Sequence, residues 1–116
     1  MRLSHLTLRT TQPGRILSFY RAVLHVEVER REDDGGTLTL ADGQRLFVEQ
    51  ADETGPGVQL WLRTGPNTLA RVRQRLTDLD VEVVDDAPHR VVFVDPDGRR
   101  VALHTARGGP EAQPED

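Results

Sequence analysis

The side chains able to do chemistry in this chain fall into two echoing groups. His5, Thr7 and Arg9 alternate along the first stretch, and Gln59, Trp61 and Arg63 alternate in the same way 54 residues later. Phe47 and Glu49 lie near the end of the first half, Ala102 and His104 near the end of the second. Histidine and glutamate can move protons or hold a metal, arginine pairs with oxyanions, and the two aromatics can stack on planar groups. Other chemistries are excluded by composition. The chain has no cysteine, which removes disulfides, thiolate nucleophiles and sulfur-rich metal sites. All 15 basic residues are arginine, so there is no lysine to form a Schiff base. The formal charge of -4, with arginines scattered along the sequence, leaves no footprint for a phosphate backbone, and no nucleic-acid partner is expected.

Elements that could position these residues are written twice. His5-Leu6-Thr7-Leu8-Arg9-Thr10 returns as Gln59-Leu60-Trp61-Leu62-Arg63-Thr64 with leucines, arginine and threonine in register. After a slip of one residue, Leu24-His25-Val26-Glu27-Val28 matches Leu79-Asp80-Val81-Glu82-Val83, and Asp42-Gly43-Gln44-Arg45 matches Asp97-Gly98-Arg99-Arg100. Each copy reads as strand, helix and three strands, an α+β arrangement of tandem βαβββ modules. The first strands span about 3–9 and 58–63. Thr11 is the expected cap of a first helix with Pro13 in its opening turn and a stripe of Ile16, Leu17, Phe19, Tyr20, Val23 and Leu24. Asn67 or Thr68 is the expected cap of a second, carrying Leu69, Val72, Leu76 and Leu79. Hairpin strands are expected at about 25–32, 37–41 and 44–50, then 81–85, 90–95 and 99–105, with Asp-Gly turns at 42–43 and 97–98 and another turn at 33–36. The domain is expected to run over 1–106, with modules at about 1–52 and 58–106 and a disordered tail at 107–116. Apolar runs far shorter than the roughly 20 residues of a membrane span, and a start directly on a strand pattern, imply no membrane and a cytoplasmic location.

Strand parity assigns faces. Leu6, Leu8, Leu60 and Leu62 belong under the helices, with Leu38, Leu40, Leu46, Val48, Phe93, Val101 and Leu103. The other face then displays His5, Thr7, Arg9, Gln59, Trp61 and Arg63 from the first strands, and Arg45, Phe47, Glu49, Arg100, Ala102 and His104 from the last. A solvated antiparallel face accounts for arginines and threonines, but not for Trp61 and Phe47. Aromatics among His, Glu, Gln and Arg suit a partly apolar pocket for a small organic ligand. His25 and His89 stand at strand starts as surface histidines.

Residues 3–105, with the helix phrase Ser18-Phe19-Tyr20-Arg21-Ala22-Val23-Leu24 and the turn Phe93-Val94-Asp95-Pro96-Asp97-Gly98, resemble the vicinal oxygen chelate superfamily of glyoxalases, bleomycin-resistance proteins and extradiol dioxygenases. The resemblance implies an incomplete barrel around a cleft, pairing of modules within a chain or in a homodimer, and a ligand or divalent metal inside. It places the metal-ligand positions on His5, Phe47, Gln59 and Ala102, of which only His5 and Gln59 can hold a metal. Neither metal nor other cofactor is therefore favoured. A displaced divalent site would have to use His5, Gln59, Glu49 and His104.

Three functions follow as expectations. The first is metal-independent binding or sequestration of a small molecule, as in bleomycin resistance, on His5, Thr7, Arg9, Phe47, Glu49, Gln59, Trp61, Arg63, Ala102 and His104. The second is a metal-dependent lyase, isomerase or dioxygenase with Glu49 as the catalytic base. The third is a non-catalytic dimeric interaction protein.

Overall fold

Alternation of leucines and the two helical stripes produce the same unit twice. The computed structural model describes residues 5–31, 35–40, 43–55 and 59–105, with His5 described by its backbone alone. The tail at 107–116 and the tip of the 33–36 turn lie outside these residues, as does Asp42. The chain divides into two units, 1–56 and 57–116.

In unit 1, β1 (His5–Thr10) leads into α1 (Pro13–Leu24), then β2 (Glu27–Arg30), β3 (Gly36–Thr39) and β4 (Arg45–Gln50). The sheet order is β1-β4-β3-β2, with β1 parallel to β4 and the hairpins antiparallel. On α1, Ile16, Leu17, Tyr20 and Val23 are fully buried, and from the sheet Leu8, Leu38, Leu46 and Val48 meet them. Each such side chain contributes roughly 1.5–3 kcal/mol on leaving water. Gly36 is required by this packing: a Cβ there would stand 2.6 Å from the Glu29 carbonyl oxygen and 2.8 Å from Leu17 Cδ1.

Unit 2 repeats the plan with β5 (Leu60–Arg63), α2 (Pro66–Asp78), β6 (Val83–Ala87), β7 (Arg90–Val94) and β8 (Arg100–His104) in the order β5-β8-β7-β6. Leu69, Val72 and Leu76 of α2 are buried, as are Leu60, Val91, Phe93, Val101 and Leu103 of the sheet. The repeat extends to backbone torsions. His25 and Asp80, 55 residues apart, both have φ of 54°, and Gly43 and Gly98 have φ of 84° and 83°. In each glycine turn the N–H donates to the residue three back, Leu40 or Asp95, at 2.9 Å. Positive φ is what glycine supplies without steric cost.

The helix starts differ from expectation. Gln12, not Thr11, is the N-cap of α1, and its backbone N–H donates instead to Thr10 Oγ1 at 3.0 Å. Gly65 precedes α2, whose first turn holds Pro66, so Asn67 and Thr68 lie inside the helix. Leu79 is the C-cap and half-exposed, outside the core stripe. β6 starts two residues later than expected, and its pairing with β7 is irregular between Val83 and Asp85. His25 caps α1 and His89 sits in the β6–β7 turn, and both are exposed.

The phrase Asp95-Pro96-Asp97-Gly98-Arg99 has a structural role. Asp95 Oδ1 accepts hydrogen bonds from the backbone N–H groups of Asp97 and Arg99, each at 2.9 Å. The Arg99 guanidinium reaches Asp97 at 2.8 Å and Asp95 at 3.5 Å, and all three side chains are at most 2% exposed. The carboxylate thus closes the turn from within and sets where β8 begins.

Candidate functional site

On the face of the unit 2 sheet away from the helix-side leucines, registers arrange side chains in rows across three strands. One row runs Trp61–Ala102–Val92, the next Arg63–His104–Arg90. Ala102 is fully buried and Val92 nearly so, while Trp61 is half-buried and Arg63 exposed. The result is an indole beside an apolar floor with a polar, nitrogen-rich row at one end. The Trp61 and His104 rings stand 5.5 Å apart at 63°, an edge contact, and the Arg90 guanidinium carbon lies 6.0 Å over the indole. Arg90 also pairs with Asp85 at 3.0 Å. Buried His104 is anchored through Nδ1, 2.9 Å from the Thr105 carbonyl oxygen. A carbonyl can only accept, so this contact places a hydrogen on Nδ1.

The corresponding face of unit 1 is more open. Thr7 and Thr37 flank half-buried Phe47 in register, and Arg9 stands beside Glu49. Thr7, Arg9 and Glu49 are exposed. Glu49, the expected base, thus stands exposed beside Arg9 at the open end of this face. Gln59 is exposed and precedes β5 by one residue.

Strand register tests the metal positions directly. Within unit 1, His5 pairs with Arg45, so Phe47 is two residues beyond it and Glu49 four. Within unit 2, Gln59 immediately precedes Leu60, the partner of Val101, so His104 likewise stands four residues beyond the level of Gln59. Four residues of strand amount to about 13 Å, several times a metal–ligand bond. Neither unit brings its own two donors of the displaced set His5, Glu49, Gln59 and His104 together, and the residues at the nearer positions are phenylalanine and alanine. Among the described residues, no three His, Asp or Glu side chains converge as a metal site. Within each unit, then, the donors left to the chain stand too far apart along the strands to share one ion.

Sequence reasoning overlooked Arg90, Val92 and Asp85, because it looked for site residues only on the first and last strands. The signal was there in the Asp95-Pro96-Asp97-Gly98 turn, which folds β7 back on β8 and sets Arg90 opposite His104.

Two four-stranded mixed sheets, each with one helix and its first strand parallel to its last, define a paired βαβββ protein. The model of the glyoxalase-like domain matches residues 5–104, and the chain belongs to that family, within the vicinal oxygen chelate superfamily. No curated protein matches in sequence. Solved structures share the fold at low identity. An integron cassette protein of Vibrio cholerae is 19% identical over 91% of this chain and 95% of that one, with a TM-score of 0.76. The oxidase ChaP-H1 is 14% identical over 94% and 99%, with a TM-score of 0.78. A fosfomycin resistance protein of Listeria monocytogenes, FosX, complexed with Mn(II) and a dihydroxypropylphosphonic acid, is 18% identical over 89% and 88%, with a TM-score of 0.72. No helix among the described residues is long and apolar enough to cross a membrane.

Proposed function

We propose that this protein binds a small planar organic molecule against the Trp61 face without help from a metal, and acts by sequestering it in the manner of bleomycin-resistance proteins. The observation that carries the reading is the pair Phe47 and Ala102 at the superfamily's last-strand ligand positions, with Trp61 in register beside Ala102. A position that would present a carboxylate to a metal instead holds a buried alanine, and a half-buried indole lies next to it. Such a surface gains free energy by taking up a flat apolar ligand, and the polar row at its end orients it. Lyase or dioxygenase chemistry would need a held metal and an enclosed base, whereas Glu49 is exposed and the donors within each unit stand four residues apart.

Trp61 is the only tryptophan, so its emission reports on this face alone. Titration with aromatic antibiotics, catechols and glutathione thioesters should quench or shift it for at least one class. Trp61→Leu should weaken that binding, measured by calorimetry, and leave the protein folded. If Trp61→Leu mainly unfolds the protein while wild-type emission ignores every ligand, Trp61 is a core residue and the reading is wrong.

A further inference from the structure

We propose that the ligand of the Trp61 face is a planar aromatic acid whose carboxylate is held by Arg63, an assignment that rests on the binding reading above and gives it a substrate class. The chain as a whole carries a formal charge of -4, yet this face of unit 2 is locally positive. Its rows on β5, β8 and β7 contribute Arg63, Arg90 and Arg100 and contain no carboxylate. The one acid on β6 that meets them, Asp85, is committed to Arg90, whose Nε and a terminal nitrogen approach the same Oδ2 at 3.1 and 3.0 Å. Arg90 is thereby neutralised and fixed over the indole. Arg63 differs. Its guanidinium is exposed and makes no hydrogen bond or ion pair among the described residues.

Arg63 follows Trp61 by two residues on the same strand, which places it about 6.6 Å further along the same face. A carboxylate on the edge of a fused aromatic ring pair centred on the indole, with one hydrogen bond beyond it, spans a distance of that order. An aromatic acid lying on the indole would therefore present its oxygens to a guanidinium that has no other partner among the described residues, and the planar fork of arginine suits two carboxylate oxygens. Buried His104 between the two arginines closes the row and limits how far the ring can slide.

Calorimetric titration with 2-naphthoate and 2-naphthamide, nearly equal in shape and different in charge, tests this. The acid should bind roughly tenfold more tightly than the amide, as expected of a charge-assisted hydrogen bond. Arg63→Gln should erase that preference, and Arg63→Lys should keep part of it. Arg100→Gln, which removes a charge from the same face further from the indole, should leave most of the preference. Equal binding of acid and amide, or equal losses from Arg63→Gln and Arg100→Gln, would overturn the proposal and leave the binding reading standing. Binding of neither probe, with Trp61 emission also unresponsive to the wider ligand panel, would overturn both.

Discussion

Replacing Asp95 by alanine should cost far more stability than its place in a turn suggests. The Asp95 carboxylate is fully buried, accepts the N–H groups of Asp97 and Arg99 at 2.9 Å, and lies 3.5 Å from the buried Arg99 guanidinium. Alanine leaves two backbone donors without that acceptor, at about 1–3 kcal/mol each where water cannot reach them. Arg99 keeps its 2.8 Å contact with Asp97, so the full penalty of a stranded buried charge is not incurred. A net loss of about 3 kcal/mol follows, and for a domain of this size it lowers Tm by about 10–20 °C. Asp95→Asn retains an acceptor for the backbone and should lose less than half as much. Thermal melts followed by far-UV circular dichroism, with urea unfolding at 25 °C, give both numbers. A drop below about 4 °C for Asp95→Ala would show that the carboxylate does not hold the turn closed.

Other expectations are simpler to check. Gly36→Ala should destabilise by about 1–3 kcal/mol, because its Cβ would meet a backbone oxygen at 2.6 Å, and urea midpoints would reveal it. Arg73 of α2 pairs with Asp86 at 3.0 Å and donates to the carbonyls of Ala87 and Arg90, so it ties the β6–β7 hairpin to the helix. Arg73→Ala should cost about 1–2 kcal/mol and speed hydrogen exchange locally in 83–94; uniform exchange changes would contradict a local tie. Deleting 107–116, which contains no strong apolar residue, should leave Tm within about 4 °C of the full chain.

The paired modules were legible because strand parity and helical stripes act over a few residues. Leu8, Leu46, Leu60 and Val101 had only one face to occupy, and they are buried there. Helix starts were less legible, although the rule that put Pro13 in a first turn applies equally to Pro66, and following it would have placed the second cap at Gly65. β6 was misplaced because two adjacent aspartates break its alternation. Asp85 serves Arg90, Asp86 serves Arg73, and these partners lie on other elements. At the site, parity placed Trp61, Arg63, Ala102 and His104 on one face. It could not reveal that His104 is buried and anchored to the Thr105 carbonyl, or that Arg90 arrives from β7, since both depend on registers set by turns. Register also separates His5 from Glu49, and Gln59 from His104, by four residues each, a distance hidden until β1 and β5 are paired with their neighbours.

The most direct test of metal-free binding is to measure ligand affinity by Trp61 emission twice, once on protein stripped with chelator and once with Mn(II) added. The chain should bind its ligand with the same affinity in both, and untagged protein should carry well under one equivalent of Mn, Fe, Ni or Zn. Binding that appears only with metal, together with a stoichiometric ion that disappears in His5→Ala, would contradict the account and establish a metal site that His5 helps to build.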